Sequence, residues 1–203
     1  LILNFGLRIL LFMSVQNINH AMGELGKFTA TDLLTHCVNR DLGLVYWDVK
    51  PCDVIPYSQS DYHTVSLYTI GGEKTRRIDQ DKTIPGGPGK ICFLPAGSDS
   101  RWNIAANQQL MHFYISSEYF SYFLNVSFDI DARNVQLVEK TFIDDPILQK
   151  LMYQQLLKPA IEGFQNQLLL SQVSHQIASF LAERYLDKKI SADCYSGGLS
   201  GRH

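Results

Sequence analysis

The chain has 203 residues, of which 45% are hydrophobic and 19% are charged. This composition excludes a disordered or fibrous protein, and the length predicts one soluble globular domain, with or without an appendage. With 18 Lys and Arg against 20 Asp and Glu, the net charge is -2, so the chain lacks the basic excess that binding to nucleic-acid phosphate requires.

The first residues are apolar but predict neither a membrane span nor an export signal. Residues 1–13 are interrupted by Arg8, are too short to cross a bilayer, and lack the charged leader and the cleavage site of a secretory signal. Because the first methionine is Met13, one hypothesis is that residues 1–12 lie upstream of the natural start.

Between Asp41 and Ser116 the sequence is typical of a β domain. Short apolar runs alternate there with Gly, Pro, Asp and Asn, at spacings suited to a compact antiparallel sandwich or barrel. The prolines and glycines of Ile84 to Lys90 predict a tight connection into the third strand. The predicted strands are Leu44 to Val49, Thr64 to Ile70, Lys90 to Leu94, Trp102 to Ala105 and Gln109 to Ile115.

Two of these runs alternate in polarity, which predicts two different faces. In the run from 64 to 70, Val65 and Leu67 lie on one face and Tyr68 on the other. An inner wall with Tyr and His is compatible with a lined cavity or with a packed core whose polar tips are hydrogen-bonded. In the last run, one face carries Leu110, His112 and Tyr114, and the other carries Met111, Phe113 and Ile115.

After the last predicted strand, the hydrophobic period changes to that of helices. Asp144 and Asp145, followed by Pro146, predict the start of a helix with an acidic cap. We expect this helix to end near Lys158, because Pro159 follows.

A second, longer helix is predicted from about Gln165 to Leu186. Its apolar stripe has heptad-like steps, but Leu169, Leu181 and Tyr185 widen it, which favours packing on the chain's own core over a free coiled-coil seam. This interpretation leaves part of the stripe for a second copy of the chain. The residues predicted for a dimer interface are Leu170, Val173, Ile177 and Phe180.

The sequence carries no strong motif for nucleophilic, nucleotide or metal chemistry. The glycines at 86, 87 and 89 lead into a strand and not into a helix N-terminus, which argues against a phosphate loop. No two of the six histidines have the spacing by which one strand or helix offers two metal ligands. The four cysteines lack the paired spacing of a zinc site and predict free thiols in a reduced cytosol. We therefore expect a cytoplasmic protein without a metal or cofactor.

One stretch, Gly89 to Gly97 followed by Trp102, resembles the second sequence motif of cupins. In that motif a glycine opens a strand and Pro-x-Gly turns the chain at the rim of a barrel. Metal-binding cupins would have a histidine at Ser100 and an asparagine at Ile104, and their first motif would follow Gly71-Gly72, but these ligands are absent. The resemblance implies a mainly β fold, a cupin-like antiparallel β-barrel of the jelly-roll type followed by a helix pair, without cupin metal chemistry.

A narrower resemblance, over about residues 40 to 203, is to the N-terminal arm of AraC-type transcriptional regulators. Leu168 to Tyr185 is similar to their dimerisation helices, and Ser196 to His203 is similar to the segment that enters their helix-turn-helix domain. The stretches that resemble their sensor barrels, in order and spacing, are Asp61 to Tyr68, Gly71-Gly72, Arg76 to Asp79, the cupin-like stretch and Trp102.

This resemblance implies four parts and a set of partners. A small-molecule effector in the barrel would shift the domain arrangement, and so the spacing of paired DNA-binding units on the operator. The expected partners are this effector, a second copy in a homodimer, and DNA only through a missing domain, with no membrane. The parts are an N-terminal extension with the first elements (1–40), the barrel sensor (41–140), dimerisation helices (141–188) and the start of a linker (189–203) to a helix-turn-helix domain absent from this chain.

The expected effector pocket combines a polar aromatic wall with two cationic clamps for an anionic ligand. The wall residues are His63, Tyr68, Trp102, His112 and Tyr114, and the clamps are Arg76 and Arg101.

Two other functions stay open. The first is a metal-free cupin enzyme, such as a sugar epimerase, with His63 as the base and Tyr68 or Tyr114 as the acid, held about 3 Å from opposite faces of a substrate carbon. The second is a dimerisation module with a filled barrel and no ligand, which would lack a cavity of a few hundred cubic ångströms.

Overall fold

A computed structural model describes residues 30–58, 61–80, 84–163 and 166–188. The hypothesis about residues 1–12, the rest of the predicted extension up to residue 29 and the predicted linker 189–203 lie outside these residues. The fold is mainly antiparallel β sheet with helices in its C-terminal part, which confirms the predicted class.

The described elements follow one another in chain order. The strands are β1 (Ala30–Cys37), β2 (Leu42–Val49), β3 (Cys52–Tyr57), β4 (Tyr62–Ile70), β5 (Thr75–Arg77), β6 (Ile91–Leu94), β7 (Ser100–Ile104), β8 (Gln108–Ser116), β9 (Val135–Leu137), β10 (Lys140–Ile143) and β11 (Leu186–Lys188). The helices are α1 (Ser117–Phe128), α2 (Pro146–Lys150), a π-helical segment (Leu151–Leu157), α3 (Lys158–Ile161) and α4 (Gln167–Arg184).

The strands form two main sheets and a small ribbon. The larger sheet has six strands in the order β1-β2-β8-β4-β6-β10, the smaller has the order β3-β7-β5, and β9 pairs with β11 in the ribbon. Neighbouring strands run antiparallel throughout. Within the described residues the two main sheets are separate and make a sandwich, so a closed barrel stays a prediction.

The central strands β4 and β8 separate two apolar cores, as their alternation predicts. Val65 pairs with Phe113, and both side chains lie in a core beneath the helices. Tyr68 pairs with Leu110, and both side chains lie in a core between the two sheets. The helix-side core includes Leu44, Val65, Leu67, Phe93, Phe113 and Leu170, and the inter-sheet core includes Val45, Ile55, Tyr68, Cys92, Trp102, Leu110 and Tyr114.

The helix that begins at Pro146 starts as predicted but does not end near Lys158. The Asp145 carboxylate accepts the N–H groups of Ile147 at 3.1 Å and Leu148 at 3.0 Å and so caps α2. Helical structure then continues through Pro159 to Ile161.

The reason for the longer helix lies in the π-helical segment. The N–H of Lys158 donates to the carbonyl of Tyr153, five residues back. A proline inside a helix loses one hydrogen bond, and its ring clashes with the carbonyl four residues earlier. The wider π turn directly before Pro159 relieves this clash, so the proline does not end the helix.

Helix α4 directs most of its apolar stripe into the chain's own core. Leu170 and Ile177 are completely buried and Val173 is 2% exposed, all in the helix-side core. These three predicted dimer residues are therefore not exposed to a second copy, because the wide stripe packs on the sheet. The fourth, Phe180, is partly buried, with the Arg184 guanidinium 5.0 Å from its ring centre. None of the helices in the described part of the chain has the length and apolar character that a bilayer crossing requires.

Candidate functional site

The inter-sheet core holds four of the seven predicted pocket residues. Strands β4 and β8 bring Tyr68, His112 and Tyr114 to this side of the larger sheet. Trp102 reaches the same core from β7 in the smaller sheet. All four side chains are buried, so the structure places them together inside the sandwich.

His112 is the centre of an aromatic cluster in this core. Its Nδ1 lies 2.9 Å from the Tyr114 hydroxyl and 3.4 Å from the Tyr57 hydroxyl. The rings of Trp47 and Tyr57 meet the imidazole edge-on, at centroid distances of 6.5 and 5.9 Å. Burial lowers the pKa of His112 from 6.5 to about 3, so the imidazole is neutral at physiological pH.

Burial also keeps Tyr68, Cys92 and Tyr114 of this core neutral. It raises the pKa of Cys92 to about 12 and the pKa of Tyr68 well above its ordinary value. It raises the pKa of Tyr114 as well. A general acid or base works best with a pKa near the operating pH, and none of these three groups or His112 meets that requirement.

The space between the sheets is small. A cavity of about 30 Å³ lies there, bordered by Tyr68, Trp102 and His112. Ligand sites usually span about 300–1,000 Å³, which is roughly ten times this volume or more. The polar part of the wall includes Thr75, whose hydroxyl donates to Oε1 of Gln108. In this conformation the inter-sheet core is packed, as a ligand-free module would require.

His63 lies outside the inter-sheet core. Its Nδ1 accepts the N–H of Ala96 at 3.0 Å, and its ring meets Phe120 edge-on at a centroid distance of 5.1 Å. Residues 63 and 68 differ by an odd number along β4, so their side chains point to opposite faces of the sheet. The structure therefore does not assemble the pair of His63 with Tyr68 or Tyr114 on which the epimerase alternative depends.

His63 instead lines an external cleft of about 480 Å³, which we call the lateral cleft. This volume is within the usual range for small-molecule sites. The lateral cleft is bounded by His63 on β4, the turn Pro95–Ser98, α1, β9, Glu139 and Leu186 on β11.

The turn Pro95–Ser98 forms one wall of the lateral cleft. The N–H of Ser98 donates to the Pro95 carbonyl at 3.1 Å, and Gly97 has a φ of +76°. This is the geometry of a type II turn, in which the third residue needs a positive φ and is usually glycine. The Pro-x-Gly turn expected from the cupin-like motif is therefore present.

Helix α1 forms another wall, and it is not among the elements predicted from the sequence. The Oγ of Ser116 accepts the N–H of Tyr119 at 3.1 Å and caps the helix. The signal was available, because Phe120, Phe123 and Leu124 follow that cap at helical spacing and are buried. The three-residue strands β9 and β11 carry no comparable signal.

Neither predicted clamp borders the inter-sheet cavity. The Arg76 guanidinium donates to the carbonyls of Glu73 at 2.7 Å and Thr75 at 3.0 Å. Arg101 is exposed. The structure therefore separates both arginines from the four aromatic wall residues, and their role as clamps stays a prediction.

Among the arginines of the described residues, Arg77 is the buried one, with a side chain only 3% exposed. Its guanidinium donates to both carboxylate oxygens of Asp79, and its Nη1 lies 2.6 Å from Oε1 of Glu139. It also lies 5.7 Å from the ring centre of Trp102. Burial alone would lower the pKa of Arg77, but the neighbouring carboxylates of Asp79 and Glu139 raise it. Arg77 thus stays charged and ties β5 to the segment between β9 and β10.

A metal site is absent from the described residues, where no three His, Cys, Asp or Glu side chains come together to hold an ion. At the positions where cupins carry ligands, the Ser100 hydroxyl accepts the indole N–H of Trp102 at 2.9 Å, and Ile104 is buried. Structural hydrogen bonding and packing therefore occupy both positions.

No protein-family model and no curated protein matches the chain. Solved structures do match it. CuxR, described as an AraC-like transcriptional activator, is similar over 83% of this chain, with 13% identity and a TM-score of 0.52. The chain spans 64% of the length of CuxR. At this identity the likeness shows the fold.

Shorter similarities reach a cupin and an enzyme. An RmlC-like cupin from Desulfovibrio desulfuricans matches 45% of this chain and 86% of its own, with 13% identity and a TM-score of 0.35. The polyketide cyclase RemF from Streptomyces resistomycificus matches 37% of this chain and 54% of its own, with 18% identity and a TM-score of 0.32. The structural neighbours include a cupin-like protein, an enzyme and a transcriptional activator.

Proposed function

We propose that this chain is the sensing and dimerising part of an AraC-type transcriptional regulator that responds to a small molecule. The observation that carries the proposal is the similarity to CuxR over 83% of the chain, which is long enough to take in both the sheets and the helices. The order of the motifs in the sequence supports the same family. The effector, the dimer and the contact with DNA are parts of this proposal.

The net charge of -2 is consistent with a chain that senses and dimerises while a separate domain binds DNA. Binding to DNA depends mainly on Lys and Arg that neutralise phosphates, and such residues would belong to a separate helix-turn-helix domain. The present chain would act on that domain through a coupling free energy, which is typically about 1–3 kcal/mol between two sites.

The reading frame tests the regulator proposal. We expect it to continue past His203 for on the order of 100 residues that contain two helix-turn-helix patterns. The full-length product should retain DNA fragments at low salt, and residues 1–203 alone should not. A stop codon directly after His203, or a full-length protein without affinity for DNA, would contradict the proposal.

The homodimer would use the exposed side of the helical layer. Leu168 of α4 is 78% exposed, and Ile161 of α3 is 53% exposed, whereas Leu170, Val173 and Ile177 are buried in the chain itself. A dimer that covered both side chains would remove their apolar surface from water, which favours association.

The Leu168→Asp variant tests this dimer surface. We expect sedimentation to show a dimer for the parent chain and a folded monomer for the variant, because a charge replaces an apolar contact without entering the core. Leu33→Asp, at an exposed leucine of β1, is the matched control and should stay dimeric. A parent that is monomeric, or a variant that dimerises as tightly as the parent, would refute the surface.

A ligand-free dimerisation module is the second candidate function. The small inter-sheet cavity of about 30 Å³ favours it, since that space would not admit a drug-sized effector. Saturable binding of a small molecule to this chain would exclude this candidate.

A further inference from the structure

We propose that the lateral cleft, not the inter-sheet cavity, is the effector site, and that it takes a small uncharged or cationic molecule with an apolar face. This inference rests on the proposed regulatory function and specifies where and what the domain senses.

The volumes of the two spaces favour the lateral cleft. It offers about 480 Å³, against about 30 Å³ between the sheets. The buried rings of the inter-sheet core would have to separate before it could admit a drug-sized molecule, and opening a packed core forfeits its dispersion contacts. The lateral cleft needs no such opening, because it is already a concave surface between secondary-structure elements.

The chemistry of the wall selects the class of ligand. Phe120 and Leu124 of α1 supply an apolar surface, and Ser117 and Gln136 supply hydroxyl and amide groups. Among the described residues that line the lateral cleft there is no Lys or Arg. An anion would therefore lose its hydration without gaining a Lys or Arg partner, which is unfavourable.

The carboxylate of Glu139 gives the lateral cleft a negative character. Its side chain is 33% exposed and faces Arg77, which also binds Asp79. One guanidinium therefore meets two carboxylates, and the group as a whole carries one negative charge. A cation or a neutral hydrogen-bond donor at the lateral cleft would be attracted to this charge.

The lateral cleft also touches the backbone that leaves α4. Leu186 on β11 lies two residues after the end of that helix at Arg184, lines the lateral cleft and pairs with Leu137 of β9. Between α4 and Leu186, Tyr185 contacts the sandwich. Its ring lies 4.5 Å from that of Phe93, and its hydroxyl donates to Oδ2 of Asp145 at 2.5 Å. A ligand that contacts α1 and β11 together would stabilise one position of the β9–β11 ribbon, which is how binding shifts a conformational equilibrium.

Three flat probes of similar shape and different charge test the site on the 203-residue chain. The probes are benzamide, benzamidinium and benzoate. Their binding is monitored by the amide chemical shifts of ¹⁵N-labelled protein. We expect saturable shifts at Ala96, Gly97 and Ala132 with the neutral and cationic probes. Benzoate should bind about tenfold or more weakly, which corresponds to about 1.4 kcal/mol.

Two blocking variants identify the site. Ser121→Trp on α1 and Gln136→Trp on β9 place a large ring at the lateral cleft from two different elements, and both residues are exposed, so the core is not disturbed. Each should weaken probe binding about tenfold or more. Ser127→Trp makes the same chemical change at an exposed position of α1 that does not line the lateral cleft, and should bind as the parent does.

Three results would overturn the inference. They are shifts centred on Ser66, Gln108 and Leu110 of the inter-sheet core, tighter binding of benzoate than of benzamidinium, and an absence of saturable shifts with all three probes. These results concern the site alone, because the regulator proposal is decided separately by the reading frame and by DNA retention.

Discussion

Replacing Arg77 by methionine should lower the free energy of unfolding by about 3 kcal/mol, the lower end of the cost of breaking a buried ion pair. Methionine preserves much of the side-chain volume but leaves Asp79 and Glu139 without their shared cation. Both carboxylates are partly exposed, at 24% and 33%, so water compensates part of the loss. Urea unfolding at neutral pH measures the change, with the slope against urea expected to stay as in the parent.

Two further arginine variants show whether the loss of stability comes from the buried ion pair or from the loss of a positive charge as such. Arg101→Met removes a charge of the same sign from an exposed neighbouring side chain and should cost less than about 0.5 kcal/mol. Arg77→Lys keeps the charge but loses the planar fork that binds both oxygens of Asp79. We expect it to recover less than half of the loss. An Arg77→Met protein within about 1 kcal/mol of the parent would show that the group does not hold β5 to the β9–β10 segment.

The sequence was not sufficient to predict which of Arg76 and Arg77 is buried. Both side chains are cationic, and the strand that contains them has only three residues. Alternation along so short a strand cannot be recognised from polarity, yet it buries Thr75 and Arg77 and turns Arg76 outward. The pairing of Arg77 with Trp102 across the smaller sheet decides which arginine is covered. That pairing is non-local and has no signature in the sequence.

The placement of His63, in contrast, could have been predicted from the alternation of side chains along β4. The alternation that places Val65 and Leu67 opposite Tyr68 also places His63 opposite Tyr68. The family resemblance put His63 and Tyr68 in one pocket wall, although the odd difference between their residue numbers places them on opposite faces of the strand. The faces of β4 and β8 were predicted correctly from the same period of two, because both strands are long and buried on both sides.

The lateral cleft could not be predicted from the sequence as a whole site. Helix α1 has a recognisable cap and apolar spacing, but the opposite wall is formed when β11, at the end of the described chain, pairs with β9. Strands of three residues carry too few positions to show a period. The site therefore depends on a contact between segments distant in sequence, which only the folded chain brings together.

The stability of the protein should decrease as the pH falls from about 7 to about 5, and His112 should account for about 2 kcal/mol of that decrease. Its pKa in the fold is about 3, whereas an unfolded chain has the ordinary value of 6.5. Below pH about 6.5 the unfolded state binds a proton that the folded state cannot accept, so protonation favours unfolding increasingly down to the folded pKa. The groups that face the ring are Trp47, Tyr57, Tyr114 and the paired Ser66, none of which is charged.

His112→Gln should remove this part of the pH dependence, because glutamine can hydrogen-bond in the core but does not titrate. The comparison is the difference in unfolding free energy between pH 7 and pH 5, which should shrink by about 2 kcal/mol in the variant. Tyr114→Phe is the control, since it deletes the hydroxyl 2.9 Å from Nδ1 yet leaves the buried imidazole in place. This variant should be less stable at both pH values, but the difference in its unfolding free energy between pH 7 and pH 5 should equal that of the parent. If His112→Gln keeps this difference as well, the imidazole is not held neutral between the sheets, and the inter-sheet core is open to water.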